Sequence, residues 1–328
     1  MIELELKAKK AFELREKYLR LYESNQDTEA KSLELEYLAL RREVILESDN
    51  NIHRQKSIPM SEIKRKVNSK TKPKRIETGI LSLDRELVSD EMKLNNQIGG
   101  LALGNFIQIA GSKGTGKSSF MLKIMTGFSL YEKVCWFDFE MGEDRVVSKL
   151  KAFEHDDENL LYYGASRKLS DIVDEIKFLN AIGVNHFVID SAMKITVGGA
   201  DRYDKFSTIS GELSSLTSTL GINIYMINQM SQSAERDGHL SIKHGNDAEY
   251  DADFIFFLLN APVLDENNKP VLDDAGIPKK DENKRILKCE KNRQDERLFS
   301  INIPKHEIIK DSSYSFPVEV SKYEMEII

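Results

Sequence analysis

Residues 111–118 read Gly111-Ser112-Lys113-Gly114-Thr115-Gly116-Lys117-Ser118, a glycine-rich turn set between an apolar run and a helical one. Its chemistry is that of a polyphosphate cradle. Glycines let successive backbone N–H groups curl inward onto an anion, beside a helix N-terminus that carries positive partial charge. Lys117 would reach the β- and γ-phosphates and the Ser118 hydroxyl would hold a magnesium ion, with Ser119 completing the binding set. The expected ligands are therefore ATP and Mg2+.

Carboxylates stand where such a site needs them. Asp190 closes the apolar run 186–189, a position from which it can hold a magnesium-bound water. Glu140 follows the run 136–139 and could polarise an attacking water as a general base. Asp138 lies two residues earlier, on the same side of a strand, and is its rival for that role. Glu140 is nearer the strand's carboxyl end, where ligand sites collect in such sheets. Gln229, after the run 222–227, is placed to sense the γ-phosphate. Lys291 and Arg293 sit two apart beyond the run 285–289, so both project one way. Their own loop needs no further cations. Given to a neighbouring subunit, they would neutralise charge in the transition state.

These residues need a scaffold, and the chain encodes one. From residue 76 onward, short apolar runs at 106–110, 134–139, 186–189, 222–227, 254–259, 285–289 and 299–303 alternate with helical patterns at 118–128, 172–182 and 209–220. That alternation predicts an α/β domain over 76–328 with a mostly parallel sheet flanked by helices. Residues 260–284 are polar and predict an exposed hairpin loop; no internal repeat is expected. Residues 1–50 predict a helical hairpin. Leu4, Ala8, Ala11, Leu14, Tyr18 and Leu21 form one stripe and Leu33, Tyr37, Leu40 and Val44 a second, separated by a turn at 24–28. These stripes would cover either the chain's own core or a partner. Residues 51–75 set Arg54, Lys56, Lys64, Arg65, Lys66, Lys70, Lys72, Lys74 and Arg75 against Glu62 alone, the composition of a basic linker.

Composition narrows the class. The 328 residues are 40% hydrophobic and 31% charged, ordinary for a globular chain, and no apolar run approaches a membrane-spanning length. The acidic start Met1-Ile2-Glu3-Leu4-Glu5 is unlike a secretory signal. Cys135 and Cys289 lie in strand-like runs, as buried thiols do. The expected compartment is the cytoplasm. A net charge of −7 argues against a generally cationic coat, while leaving room for local basic loops.

Over residues 76–303 the chain resembles the RecA-like P-loop ATPase core of the DnaB-type replicative helicases. Glu77-Thr78-Gly79-Ile80-Leu81-Ser82-Leu83-Asp84 and Gly99-Gly100-Leu101 are similar to that family's lead into its phosphate loop. Phe139-Glu140-Met141 resembles the family's Leu-Glu-Met, whose Glu is the catalytic base, which supports Glu140 over Asp138. The stretch 242–253, ending Asp251-Ala252-Asp253, is similar to the family's Asp-Ala-Asp segment. Glu290-Lys291-Asn292-Arg293 resembles the Gly-Lys-Gln-Arg that supplies a Lys and an Arg finger to the next subunit. The resemblance implies an ATP hydrolase assembled as a homo-oligomer, a hexamer, that moves along single-stranded DNA in a central channel. Lys194, Arg202 and Lys205 after Asp190, and Arg236, Lys243 and His244 after Gln229, would line that channel. The family's globular N-terminal domain finds no counterpart in the hairpin, and Lys243 stands where the family carries Arg. Two alternatives fit the same motifs: a recombination ATPase forming filaments or rings on DNA, and a non-motor ATPase regulating a replication partner through the hairpin.

Overall fold

A computed structural model describes residues 2–53, 59–61, 64–65, 75–88, 99–151, 153, 158–198, 202–231, 239–243, 246–274 and 276–308, with the backbone alone at 52–53, 202–204 and 246–248. The chain opens with the helical hairpin, α1 (Ile2–Glu23) and α2 (Asp27–His53), joined by a turn in which Asn25 takes a φ of 59°. α2 runs past the expected boundary at residue 50, since residues 48–53 contain neither Gly nor Pro to stop it. Most of the basic segment 51–75 lies outside the described residues.

A small antiparallel pair, β1 (Arg75–Ile76) and β2 (Leu101–Ala102), is followed through α3 (Leu81–Glu86) by the main domain. Its elements are β3 (Phe106–Ala110), α4 (Lys117–Ser129), β4 (Lys133–Asp138), α5 (Glu143–Lys151), β5 (Leu160–Tyr163), α6 (Leu169–Ala181), β6 (Val184–Asp190), α7 (Arg202–Leu220) and β7 (Asn223–Ile227). There follow α8 (Asn246–Asp251), β8 (Phe254–Pro262), β9 (Lys280–Asn292), β10 (Phe299–Pro304) and α9 (Lys305–Ile308). The strands form one sheet in the order β10-β9-β8-β3-β7-β6-β4-β5. Strands β8 through β5 are parallel; β9 and β10 add antiparallel at one edge. β5 escaped sequence analysis because four residues at a sheet edge, half of them part-exposed, carry no clear period.

The central strands are buried on both faces and divide their side chains by alternation. Phe106, Cys135, Phe137, Phe187, Ile189, Ile224 and Met226 face one core, with α6, α7 and the hairpin. Ile107, Ile109, Val134, Trp136, Val188, Tyr225 and Ile227 face the other, with α4. Cys135 and Cys289 belong to opposite cores and are free thiols.

Between the two expected uses of the hairpin stripes, the structure chooses the chain's own core. Ala8, Ala11, Tyr37, Val44 and Ile45 are buried there, and Tyr37 meets Phe178 of α6 edge-on. One carboxylate locks the arrangement. Glu175, in mid-α6 with a side chain 4% exposed, accepts from Arg15 of α1 at 2.9 Å and Arg41 of α2 at 2.8 Å. A buried ion pair broken from one side leaves uncompensated charge, here two part-buried guanidinium groups. Glu175→Gln is expected to lower unfolding stability by about 3 kcal/mol, seen as a lower urea midpoint. An unchanged midpoint would refute the lock.

The polar stretch between β8 and β9 corrects the expectation of a plain loop without repeats. Val263-Leu264-Asp265…Pro270 and Val271-Leu272-Asp273…Pro278 are tandem octapeptides, and Asp281 continues the spacing. Each of the first two makes a tight turn: Asp265 and Asp273 accept backbone N–H groups at 2.8–2.9 Å through Oδ1. Asn268 and Gly276 take the left-handed position, with φ of 60° and 75°. Val263 donates to Lys279, Lys279 to Val271 and Val271 to Val263, each at 2.8 Å. Three residues eight apart thus close a ring of backbone hydrogen bonds, and the arm is a compact knob. A period this short, hidden under polar side chains, is invisible to a search for hydrophobic periodicity.

Candidate active site

The phosphate loop is built at the carboxyl edge of β3. Gly116 holds a φ of 96° where the loop turns into α4, a conformation that disfavours any side chain. Gly111 runs so close to β8 that an added Cβ would stand 2.4 Å from the Leu258 carbonyl oxygen. Behind the loop, buried Arg285 of β9 donates from Nε to the Thr115 carbonyl at 3.1 Å, and from Nη1 to the Asp281 and Lys284 carbonyls. Sequence analysis missed this strut. In the chain it is one more cation in a polar stretch.

A cleft of about 190 Å³ opens over the loop, lined by Lys113, Gly114, Gly116, Lys117, Ser118, Ser119, Glu140, Met141, Lys149, Asp190, Ser191, Ile227, Asn228 and Gln229. Residues predicted from five separate parts of the sequence converge there. A larger groove of about 580 Å³, between Leu169, Val173 and Val197, lacks such convergent chemistry, and volume alone does not decide.

Lys117 rests its ammonium on the Gly111 and Ser112 carbonyls at 2.8 and 2.9 Å. Burial holds it below the usual lysine pKa, opposed by Asp190 and Glu140. Asp190 is buried at the end of β6. Burial raises its carboxyl to about 6, the Ser118 hydroxyl hydrogen bond pulls it down, and Glu140 and Asp138 push it up. Its Oδ2 has no hydrogen-bond partner. A buried carboxylate oxygen left open beside a serine hydroxyl is the hard oxygen donor set a magnesium ion takes, so the residues fit the metal.

The raised value fixes a pH dependence. Between about 4 and 6 the folded carboxyl holds a proton that the unfolded one releases, so without a cation this group favours folding more as pH falls through 6. A metal competes for the same oxygens. Magnesium-dependent nucleotide affinity is expected to be flat above about pH 6 and to weaken by up to about tenfold per unit below it, measured by calorimetric titration. Asp190→Asn should abolish that slope; a slope that survives would rule Asp190 out as its source.

The rivalry between Asp138 and Glu140 meets a geometric distinction. The strand stops at Asp138, not at Glu140, because the Asp138 Oδ1 accepts the N–H groups of Glu140 at 3.1 Å and Met141 at 2.9 Å. Its Oδ2 accepts from the Tyr162 hydroxyl at 3.2 Å. Asp138 is committed to the turn. Glu140, carried by that turn, is exposed at the cleft wall.

Lys291 and Arg293 are not in the cleft. They lie toward the opposite edge of the sheet: Lys291 pairs with Ile255, and Arg293 donates its N–H to Asp253, whose Oδ2 caps the first residue of β3. The five residues of β3 separate the two edges by roughly 17 Å. Lys291 Nζ donates to the Glu249 and Tyr250 carbonyls at 2.6 and 3.0 Å, and Arg293 Nη2 to the Tyr250 carbonyl at 2.6 Å. Both therefore cap the end of α8 in their own chain. The Asp251-Ala252-Asp253 segment supports them through Asp253, 3.4 Å from Arg293.

Of the cations expected along DNA, Lys194 is exposed on the turn after β6 and Lys243 lies beyond β7, both at the cleft's edge of the sheet. The Lys243 N–H donates to the Gln229 carbonyl at 2.8 Å. Lys205 instead turns back to the Met193 carbonyl at 3.1 Å. Arg236, His244 and the side chain of Arg202 lie outside the described residues. Lys149 and Asn228 line the cleft and were not foreseen, since no motif spacing marks them.

No protein-family model matches the chain, and no curated protein matches it by sequence. Solved structures do. The fold is similar to a KaiC-like protein from the hyperthermophilic archaeon Pyrococcus horikoshii OT3, at 19% identity and a TM-score of 0.50, covering 71% of this chain and 94% of that one. It is similar also to the ATPase domain of a DnaB-type helicase, at 17% identity and a TM-score of 0.53, covering 74% of this chain and 92% of that one. The chain thus has the RecA-like P-loop ATPase fold, and among the described residues no helix is long and apolar enough to cross a membrane.

Proposed function

We propose that this chain hydrolyses ATP with magnesium at the interfaces of a homo-oligomeric ring, a hexamer, and uses it to move along single-stranded DNA as a helicase does. The observation that carries the reading is the division of cations and carboxylates across the sheet. Lys117, Ser118, Asp190, Glu140 and Gln229 gather in one cleft, while Lys291 and Arg293 are held about a strand's length away. Such cations cannot serve their own phosphate loop, and a neighbour is the site left for them. When bound, magnesium would polarise the terminal phosphate; Asp190 and Ser118 hold its position, Lys117 neutralises the β- and γ-oxygens, and Glu140 takes the proton of the attacking water.

Lys194 and Lys243, on loops after adjacent strands, supply local positive charge for a phosphate backbone, and Lys243 is tied by its N–H to Gln229 at the cleft. Electron microscopy with a non-hydrolysable ATP analogue and single-stranded DNA tests the whole reading. Closed rings enclosing DNA are expected. Helical filaments would move it to the recombination class, and monomers that ignore DNA would defeat the motor. A partner-loading ATPase remains the second reading, favoured by the outward face of the hairpin, where Ile2, Leu6, Leu35, Leu38 and Leu46 are exposed.

A further inference from the structure

Lys149 stands in the cleft with no role yet. It lies on α5, whose Val146 and Leu150 are buried against the core that α4 also enters. That anchoring turns Lys149, between them in sequence, toward the first turn of α4, and its Nζ donates to the Ser119 hydroxyl at 2.8 Å. Among the described residues no carboxylate lies within ion-pair distance of this ammonium. A half-buried cation facing a neutral hydroxyl has given up water without gaining an opposite charge, an arrangement suited to an anionic ligand.

The other charges of the cleft divide the nucleotide among themselves. Lys117 serves the β- and γ-phosphates and Ser118 with Asp190 the metal, which leaves backbone N–H groups alone to face the α-phosphate. Ser119 is one residue further along α4 than Ser118, so Lys149 sits beside the phosphate that lacks a side-chain cation. We propose that Lys149 binds the α-phosphate of the nucleotide. The proposal deepens the nucleotide reading given above and rests on it. It also gives α5 a purpose: the helix starts two residues past Met141, so a nucleotide gripped by Lys149 would also brace the turn that presents Glu140.

An α-phosphate contact is present in ADP and ATP alike and is made in the ground state, so its loss weakens both equally. Fluorescence titration of the full-length chain with ADP and with a non-hydrolysable ATP analogue tests this. Lys149→Met should raise both dissociation constants about tenfold, the usual size of a lost charged hydrogen bond. Lys149→Arg should restore most of the affinity for both, a rescue that a purely structural role would not give; circular dichroism checks that each variant folds. Weakening confined to the ATP analogue would assign Lys149 to the γ-phosphate and overturn the proposal, as would unchanged binding of both nucleotides. A wild-type chain that binds neither nucleotide would overturn the nucleotide reading itself, and Lys149 with it.

Discussion

Glu140→Gln is expected to slow ATP hydrolysis by about 10²- to 10⁴-fold, the usual worth of a general base, while nucleotide binding stays close to wild type. Gln keeps the shape and the hydrogen-bonding reach of the side chain but cannot accept a proton. Glu140 is exposed at the cleft wall on a turn that Asp138 pins through two backbone N–H groups. Asp138→Asn is the informative partner variant. Asn can still accept through one oxygen, so the turn is retained and the rate should fall far less. Steady-state rates and analogue affinities measured on both variants decide the matter. If Asp138→Asn is the slower of the two while still binding nucleotide, the assignment of the base reverses.

Arg293→Ala should cost still more, about 10³- to 10⁵-fold in DNA-stimulated hydrolysis if the guanidinium completes a neighbour's site. The sharper measurement is complementation. Rings made only of Arg293→Ala chains lack the finger everywhere, and rings made only of Glu140→Gln chains lack the base everywhere. In a mixture, some interfaces pair an intact Glu140 with an intact Arg293, and activity should reappear there above both parents. No recovery, with Arg293→Ala alone near wild type, would return Arg293 to its structural task of capping α8 through Tyr250 and Asp253. Thermal unfolding of the Arg293→Ala chain separates the two roles, because only the structural one lowers the transition.

What could be read in the sequence was whatever announces itself by local spacing. The phosphate loop is contiguous, and its glycines, lysine and serine must follow one another for one backbone curl to work. Asp190 and Glu140 were legible because buried strands are apolar runs and a carboxylate at the end of one stands out. The hairpin stripes were equally plain, but their destination was not, since an apolar face does not state what covers it. Glu175 decides that, and it lies more than 130 residues away from either arginine it holds. Lys149 and Arg285 were illegible for the same reason. Each acts across a tertiary contact, Lys149 onto Ser119 and Arg285 onto Thr115, that no local pattern encodes. The closed knob at 263–279 failed differently: its repeat was present in the sequence but in side chains that turn analysis, rather than hydrophobic analysis, would have caught.

Strand β9 touches all of these features in turn. It leaves the knob at Lys280, braces the phosphate loop through Arg285 and ends one residue before Arg293, with Lys291 in its last turn of pairing. Flanked by β8 and β10 along its length, it resists bending, so a shift of the loop at Thr115 cannot be absorbed midway. In a ring, the strand is then a connecting rod between consecutive active sites. The fuel state of one chamber sets the reach of the finger into the next, and the firing order around the ring is written into a single length of backbone rather than into any moving domain.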